Sequence, residues 1–172
     1  GFGTAAEAVL TGDRAAGGDL EVEVGTSRRI ASPIPRIELA ASLPKGDRMS
    51  TMLDMATQLG MSAFRPLHCD YSVITTDRKR RDPTDRWHRV MLEACKQSRR
   101  AWTPEILEAG SPAEVVADAQ ARGAMVVMGD ANGGPPDAIE SDAAAVVVLV
   151  GPEGGFSPTE FEMLKDRGVL PI

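Results

Sequence analysis

Aromatic residues, cysteines and histidines are scarce in this sequence. Aromatic residues make up 4% of the 172 positions, so the core has to be built from aliphatic side chains and methionine. The two cysteines, Cys69 and Cys95, are too few for a disulfide framework and are compatible with a reducing cytosol. The two histidines, His68 and His88, do not stand at zinc-ligand spacing from the cysteines and give no basis for a Ser/His/Asp arrangement. We therefore expect no metal site.

Long apolar segments are absent as well. The longest run, residues 143–150, has the length of a strand, whereas a membrane helix needs roughly 18 apolar residues. The first residues do not form the basic and then apolar pattern of a signal peptide. Hydrophobic residues make up 42% and charged residues 26% of the chain, which is typical of globular proteins and argues against general disorder. The sequence predicts a cytoplasmic domain with no membrane partner.

The chain has a net charge of −6, but one segment of it is basic. Residues 78–100 contain nine lysines or arginines and three acidic residues, so this segment carries a charge of +6. Because salt screening confines an electrostatic field to about 8–10 Å, a local basic patch can bind phosphates whatever the sign of the whole chain. The alternative is an ordinary solvated helix face.

From residue 36 onward, short apolar runs alternate with helical patterns. Strands are predicted at residues 37–43, 63–67, 103–107, 124–128 and 143–150. Helices are predicted to begin at Asp47, at Asp82-Pro83, and at two capping boxes, Ser111–Glu114 and Ser157–Glu160. The continuous apolar runs are typical of strands buried on both faces of a parallel sheet. Together these patterns predict an α/β fold with a parallel sheet and flanking helices.

The two ends of the chain do not follow this alternation. Residues 8–10 and the alternating segment 20–24 predict a hairpin, and two strands alone are marginally stable. We therefore interpret residues 1–32 as a fragment of a small β-barrel, followed by a linker and a second domain at residues 36–172. Because the chain begins without methionine and its last four residues begin a strand, we expect both ends to be incomplete.

A Gly-rich loop at residues 151–157 is the sharpest local motif. It follows the longest apolar run and leads into a capped helix, and ligands of open α/β sheets bind at the carboxyl ends of strands. The loop is not a P-loop, since it has no Gly-Lys-Ser/Thr and Glu153 would repel phosphates. A carboxylate here suits a neutral or cationic ligand. The alternative is a tight turn that needs glycine for its own conformation.

Three motifs occur in order along the chain. The first spans residues 43–49, 56–61, 65–67 and 72–73. The second is Gln97-Ser98-Arg99-Arg100 followed by residues 103–106, and the third is the Gly-rich loop with Glu160. In this combination they resemble the RsmE-like family of bacterial methyltransferases, which act on N3 of a uridine in 16S ribosomal RNA. The resemblance covers residues 36–172.

The resemblance implies a fold, a cofactor and partners. The family belongs to the SPOUT class, whose α/β domain is a trefoil-knotted parallel sheet with flanking helices, and it has an N-terminal PUA-like β-barrel, of which residues 1–32 would be part. Its members use S-adenosylmethionine and act as homodimers on 16S ribosomal RNA of the small ribosomal subunit. Carried over position by position, donor binding falls on Met128, Gly129, Val150, Gly151, Glu153, Gly154 and Gly155. No catalytic residue is assigned.

The basic segment supplies candidate RNA contacts. At 100° per residue, an apolar side of the helix faces away from a basic side formed by Arg86, Arg89, Lys96 and Arg100. A helix with its apolar side in the core and its basic side in solvent offers contacts to phosphates. We expect RNA contacts from Arg86, Arg89, Lys96, Arg99 and Arg100, with Arg100 first because it matches the family's own arginine.

The sequence is thus interpreted as an S-adenosylmethionine-dependent methyltransferase that acts on uridine N3 in 16S ribosomal RNA. Two alternatives stay open. One is a non-catalytic RNA-binding relative of the same fold, because the family's C-terminal Arg-containing segment has no counterpart up to Ile172 and Tyr71 stands where arginine is common. The other is a different α/β enzyme that uses the Gly-rich loop for another nucleotide.

Overall fold

The computed structural model describes residues 3–14, 19–73, 83–136, 139 and 142–172, which contain ten strands and four helices. The basic residues Arg78, Lys79, Arg80 and Arg81 lie outside this part of the chain, as does Asp82. The elements are, in order, β1 (Thr4–Ala5), β2 (Ala8–Arg14), β3 (Leu20–Val24), β4 (Arg28–Arg29), β5 (Arg36–Ser42), α1 (Arg48–Leu59), β6 (Ala63–Leu67), α2 (Thr84–Ser98), β7 (Glu105–Ile106), α3 (Pro112–Ala121), β8 (Met125–Met128), β9 (Ala145–Val150), α4 (Pro158–Asp166) and β10 (Leu170–Pro171).

A six-stranded parallel sheet forms the centre of the described structure. Its strand order is β10-β8-β9-β5-β6-β7, and every neighbouring pair is parallel. Helices α1 and α2 pack together on one face, and α3 and α4 pack together on the other. The predicted α/β fold with a parallel sheet and flanking helices is therefore confirmed. No helix in the described ranges is both long and apolar enough to span a membrane.

Each face of the sheet has its own core. On the α1–α2 face, Phe64 and Trp87 make an edge-to-face contact with ring centroids 5.6 Å apart, over buried Leu53 and Met91. On the α3–α4 face, the buried side chains are aliphatic, with one cysteine and one methionine. The strands between these layers are apolar along their length because both of their faces are covered.

The helix ends follow local sequence signals, with small differences in position. Both predicted capping boxes are present, at Ser111 and at Ser157. Helix α1 ends at Gly60, whose φ of 118° is one that glycine accommodates readily. Helix α2 begins one residue later than predicted, since Pro83 is its N-cap rather than its first residue. The strand predicted at residues 103–107 is shorter, because β7 pairs only through Glu105–Ile106 at the edge of the sheet.

The N-terminal residues form two small antiparallel pairs. The predicted hairpin is confirmed as β2 and β3, paired from Ala8–Val24 to Arg14–Leu20, while β1 pairs with β4. Its large apolar side chains are 53–68% exposed, namely Val9, Leu10, Leu20, Val22 and Val24. Assignment of this segment to a β-barrel and the domain boundary at residue 32 stay predictions.

Trp102 connects this segment to the rest of the chain. Its Nε1 donates hydrogen bonds to the carbonyl oxygens of Ile30 and Ala31, at 3.2 and 3.1 Å. The backbone N–H of Gly3 donates to the Ala101 carbonyl at 3.0 Å. A Cβ atom at Gly3 would lie 2.2 Å from the indole ring, so only glycine fits at this contact.

A buried ion-pair network attaches α3 to the sheet. The carboxylate of Glu38, which is 2% exposed, accepts hydrogen bonds from Arg65 at 2.6 Å and from Arg122 at 2.8 Å. Both guanidinium groups also reach Asp118 on α3, at 2.8 and 3.2 Å. A buried charge is stable only with such partners, so the network links β5, β6 and α3 into one unit.

Replacement of Glu38 tests this network. We expect Glu38→Gln to lower the free energy of unfolding by about 3 kcal/mol, because two arginines then lose a buried counter-charge. Glu162→Gln removes one half of an exposed pair with Lys165 and should cost less than about 1 kcal/mol. Urea denaturation measures the free energy of unfolding of both variants. Equal losses would show that the buried network stabilises the protein no more than the exposed pair does.

Candidate active site at the carboxyl edge of the sheet

The Gly-rich loop leaves the carboxyl end of β9 at the middle of the sheet. Strand β9 lies between β8 and β5, so the loops that follow these three strands meet at one edge. The loop after β6, residues 68–73, reaches the same region through contacts with the Gly-rich loop. This edge is where parallel α/β sheets bind their ligands.

Two of the three glycines in the loop take part in its tight turn. The N–H of Gly155 donates to the Pro152 carbonyl at 2.8 Å, and Gly155 has a φ of 73°. A Cβ atom at Gly151 would lie 3.1 Å from the Gly155 carbonyl carbon, which is too close for an unstrained side chain. At Gly154, a Cβ atom would make ordinary contacts with the ring of Tyr71. The tight-turn alternative thus explains Gly151 and Gly155 but leaves Gly154 unexplained.

The predicted donor-binding residues come together at this edge. Val150, Gly151, Glu153, Gly154 and Gly155 form the end of β9 and its loop, and Val150 is 40% exposed. Met128 and Gly129 stand at the end of the adjacent strand, β8. The Met128 side chain is fully buried, so only its backbone can face a ligand, and the Gly129 N–H is used in a 3.0 Å bond to the Leu149 carbonyl. Their role in binding stays a prediction.

The loop after β8 packs against the last residues of the chain. The N–H groups of Asp130 and Gly134 donate to the carbonyls of Ile172 and Pro171, at 3.0 and 3.1 Å. A Cβ atom at Gly133 would lie 2.4 Å from the backbone of Ile172, so this position admits only glycine. Strand β10 therefore brings residues 170–172 to the same edge as the Gly-rich loop.

A hydrogen-bonded cluster of Asp70, Ser157 and Glu160 joins the loop after β6 to the start of α4. Ser157 Oγ donates to Asp70 Oδ2 at 2.6 Å, and Glu160 accepts from the N–H groups of Ser157 and Asp70, at 2.8 and 2.9 Å. Both Ser157 and Glu160 are buried. The sequence identified the capping box but missed Asp70, because a contact across 87 residues leaves no signal in local spacing.

Cys69 lies beside this cluster and is buried. Its N–H donates to Ser72 Oγ at 2.9 Å, and Ser72 Oγ is 2.9 Å from Ser42 Oγ at the end of β5. Burial raises the pKa of the Cys69 thiol to about 12, with a further rise from Glu160 that outweighs the lowering by the Ser72 hydrogen bond. A thiol with this pKa stays protonated at neutral pH and is a poor nucleophile. The described residues contain no group of three or more acidic, histidine or cysteine side chains that could hold a metal ion.

The outward face of α2 carries basic side chains, as predicted. Arg86, Arg89 and Lys96 are exposed, while Trp87 and Met91 on the opposite face are buried. Arg86 donates to Ser50 Oγ at 3.1 Å on the neighbouring helix α1, and Lys96 pairs with Glu93 at 2.6 Å. With Arg86 and Arg89, the side chains of Ser50, Thr51, Asp54, Val90 and Glu93 line an open groove of about 570 Å³ between α1 and α2.

Arg100 does not lie on that face. Helix α2 ends at Ser98, and Arg99 follows in the left-handed conformation with a φ of 55°. This turn directs Arg100 toward α1, where its Nη2 donates to the Gly60 carbonyl at 3.2 Å. The assignment of Arg100 to the basic face is therefore wrong, because the helix stops before it. Contacts of RNA with Arg99 and Arg100 stay predictions.

Arg48 links the basic face to the Gly-rich loop and was not singled out from the sequence. Its guanidinium lies 3.8 Å from the Glu153 carboxylate, and the adjacent Asp47 lies 3.5 Å from Arg86. The first residues of α1 therefore stand between the loop and α2. A single ligand could touch the loop, Arg48 and Arg86 in succession.

Comparisons with known proteins point to one family. A family model described as an RNA methyltransferase domain matches residues 31–172. The Ribosomal RNA small subunit methyltransferase E of Mycobacterium bovis is 29% identical over 178 residues, covering 100% of this chain and 67% of the relative. The protein of that name from Synechocystis is 30% identical over 146 residues, covering 81% and 46%. This chain thus spans from about half to two thirds of the length of these relatives.

Solved structures show the same likeness. A probable rRNA-methyltransferase from Porphyromonas gingivalis superposes with a TM-score of 0.80 and 26% identity, covering 99% of this chain and 71% of that one. A Ribosomal RNA small subunit methyltransferase E from Neisseria gonorrhoeae, bound to S-adenosyl methionine, superposes with a TM-score of 0.82 and 25% identity, covering 100% and 70%.

The raised pKa of Cys69 predicts how stability depends on pH. The folded protein holds the thiol proton up to about pH 12, whereas the unfolded chain releases it from its ordinary value near 9. This contribution to stability is therefore complete below pH 9 and is lost as the pH rises from 9 toward 12. Urea denaturation at pH 8, 9.5 and 10.5 under reducing conditions should show a decline that Cys69→Ala lacks. Cys95→Ala keeps Cys69 and should keep the decline; a parallel pH dependence in all three proteins would contradict the assignment.

Proposed function

The chain belongs to the family of RNA methyltransferase domains, and from this membership we propose that it transfers a methyl group from S-adenosylmethionine to ribosomal RNA of the small subunit. Its parallel sheet is the α/β fold of the SPOUT-type methyltransferases. The observation that carries the proposal is the position of the Gly-rich loop at the carboxyl edge of this sheet, in a fold that a relative uses to bind S-adenosyl methionine.

The residues at this edge fit a cationic donor. The Glu153 carboxylate is exposed and supplies a negative charge for a sulfonium or an ammonium group. Gly154 is exposed and is not required by the turn, so its backbone can approach a ligand closely. The exposed side chain of Val150 offers apolar contact. We expect these residues, with Gly151, Gly155 and the backbone of Met128 and Gly129, to hold the donor.

In this reaction the protein mainly has to position the donor and the RNA. S-adenosylmethionine supplies a methyl group that its sulfonium already activates. The loop and the ends of β8 and β9 would hold the donor for in-line attack and exclude water. Methylation at uridine N3 would form the N3–CH3 bond, break the S–CH3 bond to leave S-adenosylhomocysteine, and release the N3 proton to solvent. Negative charge that develops on the base is stabilised by a nearby cation. Arg48, an exposed guanidinium beside the loop, is a candidate for this role.

The same arrangement suggests a path for 16S ribosomal RNA. Phosphates can contact Arg86 and Arg89 on the exposed face of α2, next to the hydroxyl groups of Ser50 and Thr51 in the groove. From there the RNA would pass Arg48 to reach the donor. A uridine within folded RNA has to leave its stack before it can react. We expect the reaction to take place in the cytoplasm, where small ribosomal subunits assemble.

We also propose that the protein acts as a homodimer with an N-terminal RNA-holding barrel. Met55 and Leu59 expose large apolar side chains on α1, and Leu59 is 84% exposed, which suits burial against a second copy. The exposed apolar residues of β2 and β3 suit a barrel in which further strands cover them.

A donor-binding experiment tests the proposed function. Titration calorimetry should show S-adenosylmethionine binding to the protein, and Gly151→Ala should weaken it about tenfold or more, about 1.4 kcal/mol. The added methyl group would displace the backbone of Gly155 and Phe156. Gly25→Ala is the matched control, because its Cβ would meet only the Glu7 carbonyl at 3.4 Å.

A methyl-transfer assay with RNA and thermal unfolding with added nucleotides separate the two alternatives from the proposed function. Donor binding without methyl transfer to RNA, or no binding at all, would favour a non-catalytic relative. Protection against thermal unfolding by ATP or NAD but not by S-adenosylhomocysteine would favour another nucleotide-binding enzyme.

A second experiment tests the RNA path. Log affinity for a 16S ribosomal RNA fragment should fall linearly with log salt concentration, and Arg86→Gln with Arg89→Gln should reduce this slope by about 1 to 2. Lys165→Gln on α4, at the other face of the sheet, should leave the slope unchanged. An unaltered slope in the double variant would contradict the proposed path.

A further inference from the structure

Asp70 lies outside the Gly-rich motif but contacts the residue that ends it. Its Oδ2 accepts the hydroxyl proton of Ser157 at 2.6 Å, and its N–H donates to Glu160 at 2.9 Å. We propose that Asp70 is a positioning residue, which holds the Gly-rich loop in the conformation that binds the methyl donor. This inference rests on the proposed function.

A comparison of the two capping boxes shows how the contact of Ser157 with Asp70 differs from that of an ordinary helix cap. At α3, the Ser111 hydroxyl donates to Glu114 of its own helix at 2.8 Å, so this hydroxyl bond stays within the helix. At α4, the Ser157 hydroxyl instead lies 2.6 Å from an aspartate on a different loop. The α4 cap is therefore also a connection between two loops at the carboxyl edge.

The hydrogen bond between Asp70 and Ser157 fixes the last residue of the Gly-rich loop. The loop is anchored at its start by β9, whose last residue, Val150, pairs with Ala41, and the Pro152–Gly155 turn is closed by one hydrogen bond. Ser157 stands two residues after Gly155, the last residue of that turn. Because Ser157 is held by Asp70 on one side and by Glu160 on the other, the chain is fixed shortly after the turn that contains Gly154.

A second contact between the same two loops supports this interpretation. The ring of Tyr71 lies against Gly154, with 3.6 Å between its Cδ2 atom and the position of a Cβ atom there. Asp70 and Tyr71 are neighbours in sequence, so the loop after β6 supports the Gly-rich loop at Ser157 and at Gly154 together. The loop after β6 is itself fixed by the Cys69–Ser72 and Ser42–Ser72 hydrogen bonds.

Three variants distinguish a role of Asp70 in positioning the Gly-rich loop from a general effect on stability and from an effect of its charge. Asp70 is exposed, so Asp70→Ala removes no core packing. Asp70→Asn loses the charge but keeps an oxygen that can accept the Ser157 proton. Ser111→Ala removes the matched cap of α3 and should lower stability as any cap loss does. Titration calorimetry with S-adenosylmethionine and hydrogen exchange of residues 151–157 without ligand are measured on each.

We expect Asp70→Ala to weaken donor affinity about tenfold and to speed hydrogen exchange in residues 151–157. Asp70→Asn should stay within about threefold of the unsubstituted protein, and Ser111→Ala should change neither quantity. Unchanged exchange in Asp70→Ala, an equal effect of Ser111→Ala, or an Asn variant as impaired as the Ala variant would each overturn the inference. Failure of the unsubstituted protein to bind donor would instead overturn the proposed function, since hydrogen exchange reports on the loop without donor.

Discussion

The pairing of β9 with β5 and β8 is the interaction on which the candidate site depends. Six consecutive residue pairs join β9 to β5, and four join it to β8, all parallel. Because parallel strands end on the same side, this pairing alone brings the loops after three strands to one edge. The helices on both faces bury the central strands, whereas Glu153 and Gly154 in the loop after β9 are exposed.

Much of the fold could be predicted because its signals are local. Runs of valine with methionine or leucine indicated β8 and β9, and the spacing from Ser111 to Glu114 and from Ser157 to Glu160 indicated where α3 and α4 begin. The Gly-rich loop was found in the same way, since a glycine cluster between a buried strand and a capped helix occupies only a few positions. The errors at β7 and at the start of α2 are of one or two residues, where edge pairing and the cap geometry decide the boundary.

The rest of the candidate site depends on contacts between distant segments. Asp70 meets Ser157 across 87 residues, and the contact between Arg48 and Glu153 crosses from α1 to the Gly-rich loop. Periodicity placed Arg100 on the basic face because it assumes that the helix continues, whereas Arg99 turns the chain in the left-handed conformation. Such contacts follow from the order of strands in the sheet, which no local pattern encodes.

The attachment at Trp102 has a consequence for how the N-terminal strands can move. The carbonyl groups of Ile30 and Ala31 both accept from the indole N–H of Trp102. Gly3 packs against the indole ring, where there is no space for a side chain. A swivel of the N-terminal strands about this point would break all of these bonds together. Strands β1 and β4 are therefore held firmly to the segment between α2 and β7.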